Sequence, residues 1–208
     1  PQAREIWQRF KDISWNELSG LYEVLGITFE EVKGESEYEE GLAEIIDLFE
    51  KKGLSTMSEG ALVVPVGDDL PPLLLKKQDG ATLYATRDLA AALYRKRTHD
   101  FAQSLYVVDR GQGRHFKQVF TALELAGFEW AKTCKHVSFG LVRIGGKKTS
   151  TRAGAAGGAK LPLLKEVFGE AEERARARLD ASSQALSTAE KDEVAKAVGI
   201  GAIVFSNL

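Results

Sequence analysis

The chain has 208 residues, 44% of them hydrophobic, which is enough for one large or two small globular domains with a sizeable core. With 28 Lys and Arg against 30 Asp and Glu, the formal charge is -2, which excludes the global basic field of a dedicated nucleic-acid binder and leaves any such contact local. One cysteine, Cys134, excludes an internal disulfide framework; three scattered histidines carry no zinc signature, and the apolar runs fall short of the roughly 20 residues a membrane span needs. The expectation is therefore a cytoplasmic, reducing setting, no protein-bound metal site and no membrane partner. The opening residues PQAREIWQRFKD are charged rather than signal-like, and both ends read as parts of a longer polypeptide.

In chain order, a short helix is predicted around Arg4 to Lys11. A capping box, Ser14-x-x-Glu17, starts a second helix ending at Gly26. Thr28 to Val32 alternates as a strand should, and Glu37 to Lys52 is helical with Leu42, Ile45, Ile46 and Phe49 on one face. The acidic run GESEYEEG reads as a solvated face. Short β-type runs follow at Ala61 to Val66 and Leu73 to Lys77, separated by the loop GDDLPP.

From Leu83 onward the rhythm becomes α/β. A helix from about Arg87 to Lys96 precedes a strand, Ser104 to Val108; a helix from about His115 to Ala126, stopped by Gly127, precedes a strand, His136 to Val142. Such alternation predicts a doubly wound parallel sheet, with ligand beyond the carboxyl ends of its strands. That rule points to the turn Asp109 to Arg114 and to the loop after Val142. A charged helix, a Ser/Gln linker and a capping box at Ser187-x-x-Glu190, opening a helix to Val198, complete the chain.

Three segments carry chemistry or bland structure, and locally both readings stand. Thr86 is a natural N-cap with Asp88 in the first turn, an arrangement that favours the helix dipole with no function attached. Tyr84 and Asp88, four residues apart, also share one side of the helix, where a phenol and a carboxylate suit a guanidinium or ammonium. In VVDRGQGRHF, Gly111 and Gly113 either turn the chain or admit a ligand to the backbone; Gln112 could bond it, and His115 and Phe116 could border a flat base. GGKKTSTRAG lacks the order of a Walker A loop and is either a linker or an anion-binding loop.

Together, SEGALVV, LLLKKQDGATLYATRDLAAALYR, LYVVDRGQGRHFKQVFTALELAGF, HVSFGLV and GKKTSTRAG closely resemble the catalytic domain of bacterial-type arginyl-tRNA synthetases, which are class I aminoacyl-tRNA synthetases. The block D-G-x-x-x-Y-x-T-R-D-x-A-A-A-x-x-R is the most specific part. The resemblance runs from WQRF to VGIGAIVF and implies a Rossmann-like catalytic domain over residues 1–160. Residues 161–208 would be a helical segment leading toward an anticodon-binding domain.

By resemblance, Tyr84, Asp88 and Gln112 match positions that hold the substrate arginine, while Gly111, Gly113, His115 and Phe116 match the segment near ATP. Lys147 and Thr149 are placed with ATP too. KTSTR looks like the mobile signature loop, which implies that Lys148, Ser150 and Arg152 stabilise the triphosphate as pyrophosphate leaves, an effect of several kcal/mol. The implied reaction is ATP-dependent formation of arginyl-adenylate, with Mg2+ accompanying ATP, followed by transfer to tRNA(Arg).

Thr149 stands where Met is usual, AAGGAK replaces an apolar continuation, and no H-x-G-H occurs in the 208 residues. The expectation is therefore a fragment that is inactive alone. The alternatives are a non-catalytic paralogue that keeps an arginine or nucleotide pocket, and a structural module.

Overall fold

The computed structural model describes residues 2–140, 143–144, 147–148, 162–182 and 185–206. It forms two compact units, residues 32–148 and residues 1–31 with 149–208.

In the first unit, a 3-10 helix, Glu35–Gly41, leads into helix α2, Leu42–Lys51. Glu37 to Lys52 is thus not one α-helix. Gly41 stands at the change, where a Cβ would lie 3.2 Å from that of Ala90, so the close approach favours glycine. Leu42, Ile45 and Phe49 are buried as the periodicity predicts.

Three antiparallel strands follow: β1 (Thr56–Ser58), β2 (Ala61–Val64) and β3 (Leu73–Lys76). The sequence reading missed β1, whose three residues are all exposed and carry no burial pattern. Helix α3, Tyr84–His99, packs its alanine-rich face, including Ala85, Leu89, Ala92 and Leu93, into the same core as α2 and β3.

Strand β4, Ser104–Asp109, and strand β5, Cys134–Phe139, pair in parallel from Ser104 opposite Cys134 to Asp109 opposite Phe139. Helix α4, Gly113–Leu125, connects them and buries Phe116, Val119, Ala122 and Leu123. This βαβ unit is the α/β fold and parallel sheet expected from the alternation. Gly127 stops α4 as predicted: its φ is +88°, and Phe128 N donates to Leu123 O at 3.0 Å. Cys134 is buried, and that burial pushes its thiol up to about 11, so it behaves as a core residue. Strands β6 (Arg143–Ile144) and β7 (Lys147–Lys148) pair antiparallel.

The second unit contains helix α1, Gln2–Leu25, which runs unbroken through Ser14. The Ser14-x-x-Glu17 box starts no helix, because the residues before it are already helical and supply carbonyls to the N–H groups it would cap. Gly26 ends α1 as expected, with φ +67° and Ile27 N donating to Tyr22 O at 2.9 Å. Thr28 to Val32 forms no strand; no described strand lies alongside it, and the Phe29 ring rests edge-on against Tyr22 at 4.8 Å.

Helices α5 (Leu164–Asp180) and α6 (Thr188–Ser206) pack together. Here the second capping box forms as predicted: the Ser187 hydroxyl and backbone N both donate to Glu190, at 2.7 and 2.8 Å. The helix continues past Val198 to Ser206. Gly199 is its closest approach to α5, since a Cβ there would lie 2.8 Å from the backbone N of Glu172, while Gly201 has nothing within 4 Å.

Two substitutions in α6 are therefore expected to act with opposite signs. Gly199→Ala forces the helices apart and costs about 1–3 kcal/mol. Gly201→Ala removes a mid-helix glycine and stabilises by about 0.5–1 kcal/mol. Thermal melts followed by circular dichroism should move down for the first and up for the second.

Candidate functional site

Helix α3 begins at Tyr84, three residues earlier than the sequence reading placed it, with Leu83 as N-cap. Thr86 is not the cap. It is fully buried and its hydroxyl donates to Leu75 O at 2.6 Å, anchoring the helix to β3. Asp88 correspondingly lies beyond the first turn, where a carboxylate gains little from the helix dipole.

Tyr84, Asp88, Ala91 and Arg95 line a cavity of about 600 Å³. Their spacing of three and four residues is one face of a helix. Val108 at the end of β4 forms another part of the wall, with Gly111, Gln112, His115 and Phe116 from the turn and the start of α4. The cavity thus opens at the carboxyl end of a parallel strand, as the topology predicts.

The turn is built by Asp109. Its carboxylate accepts from Gly111 N at 2.8 Å and from the Gln112 side-chain amide at 2.8 Å. These donors hold its carboxyl below the usual carboxylate range, the Gln112 amide contributing most and the Gly111 N–H next. Gln112 therefore lines the cavity with its amide nitrogen engaged and its oxygen as the acceptor. Gly113 faces His136: a Cβ there would lie 3.3 Å from His136 Nδ1. Phe116 is a core side chain, stacked on His136 at 5.6 Å and tilted against Tyr106 at 4.9 Å, which meets the cavity only at its edge.

The acidic run is not simply a solvated face. Tyr38 is buried, Arg87 Nε donates to Glu39 at 2.7 Å, and Arg97 binds Glu44 through both terminal nitrogens. Glu35 and Lys33 reach the cavity, and Arg95 lies over the Tyr106 ring at 5.4 Å. The sequence reading did not single out Lys33, Glu35 or Arg95 as cavity residues. For Arg95 the signal was present, since it sits on the Tyr84 and Asp88 face two turns further along.

His115 Nε2 lies 2.6 Å from Asp88 Oδ2, with side chains 15% and 32% exposed. Its ring makes edge contacts with Tyr84 at 4.9 Å and Phe116 at 5.0 Å. Tyr84, Asp88, Gln112, Gly111, His115 and Phe116 are thus brought together. Lys147 and Lys148 form β7, and Thr149, Ser150 and Arg152 lie outside the described residues, as does the AAGGAK stretch. Among the described residues no group of three His, Cys, Asp or Glu is placed to hold a metal ion, and no helix is long and apolar enough to cross a membrane.

Two expectations follow from this geometry. Thr86→Val should cost about 1–3 kcal/mol of stability, read as a lower denaturation midpoint, because the Leu75 carbonyl loses this buried donor. Because the Asp109 carboxyl is held low, the turn's contribution is fully present at neutral pH. It is lost only as pH falls through that depressed value, below the ordinary range of about 4. The Gly111 amide resonance, followed by NMR during acid titration, should report that loss.

The profile of the family described as tRNA synthetases class I (R), catalytic domain, matches residues 1–208. An arginine-tRNA ligase of Clostridium botulinum (strain Langeland) is 45% identical over 208 residues, covering all of this chain and 36% of the relative. That of Clostridium kluyveri is 44% identical over 205 residues, covering 98% and 35%. The chain thus spans about a third of the length of the curated relatives it matches. Among solved structures, an arginyl-tRNA synthetase from Plasmodium falciparum superposes with a TM-score of 0.77 at 25% identity, over 98% of this chain and 33% of that one. The Thermus thermophilus enzyme is similar in fold, with a TM-score of 0.66 at 23% identity over 80% of this chain and 33% of that one.

Proposed function

Because the chain belongs to the catalytic-domain family of the class I arginyl-tRNA synthetases, we propose that it is the part of an arginine-tRNA ligase that reads L-arginine. The whole enzyme would use ATP to form arginyl-adenylate and then charge tRNA(Arg). What carries this reading is the convergence of Tyr84, Asp88 and Gln112 on one cavity at the carboxyl end of a parallel strand.

In that cavity the Asp88 carboxylate supplies a planar pair of acceptors that a guanidinium matches in two hydrogen bonds and an ammonium does not. Tyr84 flanks it with an aromatic wall, and the Gln112 amide oxygen offers a further acceptor. An uncharged amino acid would leave the carboxylate unpaired, the kind of mismatch that supports strong discrimination.

Activation consists of attack by the arginine carboxylate on the α-phosphate of ATP, with pyrophosphate leaving. The second step is attack of a terminal ribose hydroxyl of tRNA on the adenylate carbonyl, with AMP leaving. No covalent enzyme intermediate is needed; positioning and charge stabilisation suffice. In this proposal ATP, arriving with its Mg2+, meets Gly111, Gly113, Phe116, Lys147 and Thr149, while Lys148, Ser150 and Arg152 act on the leaving pyrophosphate. Residues 1–160 are assigned to the catalytic domain and 161–208 to the helical segment. A cytoplasmic setting accords with the single buried thiol.

Calorimetry with L-arginine should show saturable binding to these 208 residues, weakened at least about tenfold in Asp88→Asn, since one charge-assisted pair is worth about 1.5–3 kcal/mol. A flat titration of the unsubstituted chain, or equal affinity in the variant, would sink the pocket assignment. Arginine-dependent pyrophosphate exchange by the chain alone should fall far below that of an intact relative, because no H-x-G-H is present.

A further inference from the structure

We infer that His115 is a positioning residue for the arginine-reading carboxylate. This deepens the function proposed above and rests on Asp88 being the guanidinium receptor.

Three observations support the assignment. His115 Nε2 lies 2.6 Å from Asp88 Oδ2, and the Asp88 carboxylate makes no other hydrogen bond among the described residues. The imidazole makes edge contacts with two rings, Tyr84 at 4.9 Å and Phe116 at 5.0 Å, which restrain the direction of the donor. Arg87, the cation adjacent in sequence, is drawn off by Glu39 and Glu35, leaving histidine as the group that faces the carboxylate.

A carboxylate with a free χ2 torsion is a poor partner for a rigid fork; one pinned through Oδ2 presents Oδ1 and its remaining lone pairs in a fixed plane. His115 performs that task by donating one ring N–H to Oδ2. The other charged groups at the cavity are Lys33, Glu35, Arg87 and Arg95; His136 stands behind Phe116, and Asp109 behind Gln112.

The test is calorimetry with L-arginine on the 208-residue chain and three variants. His99→Gln, whose histidine lies at the far end of α3, should bind as the parent does. His115→Phe should weaken arginine by about tenfold or more, the loss of a hydrogen bond to a charged group. His115→Gln, which keeps an N–H donor, should restore most of that loss. Equal affinity of His115→Phe and the parent, or no rescue by His115→Gln, would overturn the assignment.

If arginine binds none of the proteins, the function proposed above fails, and the pairing is decided separately. The Nε2 resonance of His115, one of only three histidines in the chain, should move in Asp88→Asn at fixed pH. An unmoved resonance would overturn the inference.

Discussion

The site depends on one buried hydroxyl. Thr86 is fully buried, and its bond to the Leu75 carbonyl fixes both the height and the rotation of α3 on the antiparallel sheet. A buried hydroxyl without a partner is costly, so the helix has one favourable rotation about its axis. With Thr86 turned inward, residues 84, 88, 91 and 95 take the cavity side, and the Leu89 and Ala92 positions complete the core. The chemistry-bearing face is thus set by a residue that touches no part of the cavity.

Electrostatics refine that placement without holding it. The pairs Arg87 to Glu39 and Arg97 to Glu44 join α3 to the 3-10 helix and to α2. They are largely exposed, and such pairs contribute little stability each. Their effect is on charge distribution: Arg87 points at the acidic run, and the neighbouring carboxylate of Asp88 is left for an incoming cation. The acidic run is therefore a counter-charge that pairs with the Arg87 side chain at the cavity wall.

Much of the fold was legible where the pattern was local and the environment ordinary. The βαβ unit, the stop at Gly127 and the Ser187 capping box each form as the residues specify, because periodicity and cap chemistry act within a few residues. The same chemistry misled at Ser14, where a capping box lies inside a helix that Gln2 to Ile13 had already begun. It misled again at Thr28 to Val32, since alternation describes a strand only when another strand lies alongside. Thr86 has the residue type of an N-cap but is buried by tertiary packing, which no local pattern records.

The cavity was legible in a different sense. The resemblance groups Tyr84 and Asp88 of one motif block with Gln112 of a second segment, and the three line one space. A motif records which side chains are required, however, and not which partner each one faces. His115 follows the GxG turn, a segment that the resemblance groups with the nucleotide, and nothing in that grouping shows that it meets Asp88, 27 residues away in sequence. The register of α4 against α3 decides that meeting: His115 is the third residue of α4, on the turn where the helix leaves the strand end, and Asp88 is one turn into α3. Moving His115 one residue along α4 would rotate its side chain by about 100° and take the imidazole out of the cavity. Spacing within each helix was visible in the sequence; the juxtaposition of the two helices required the core that packs them.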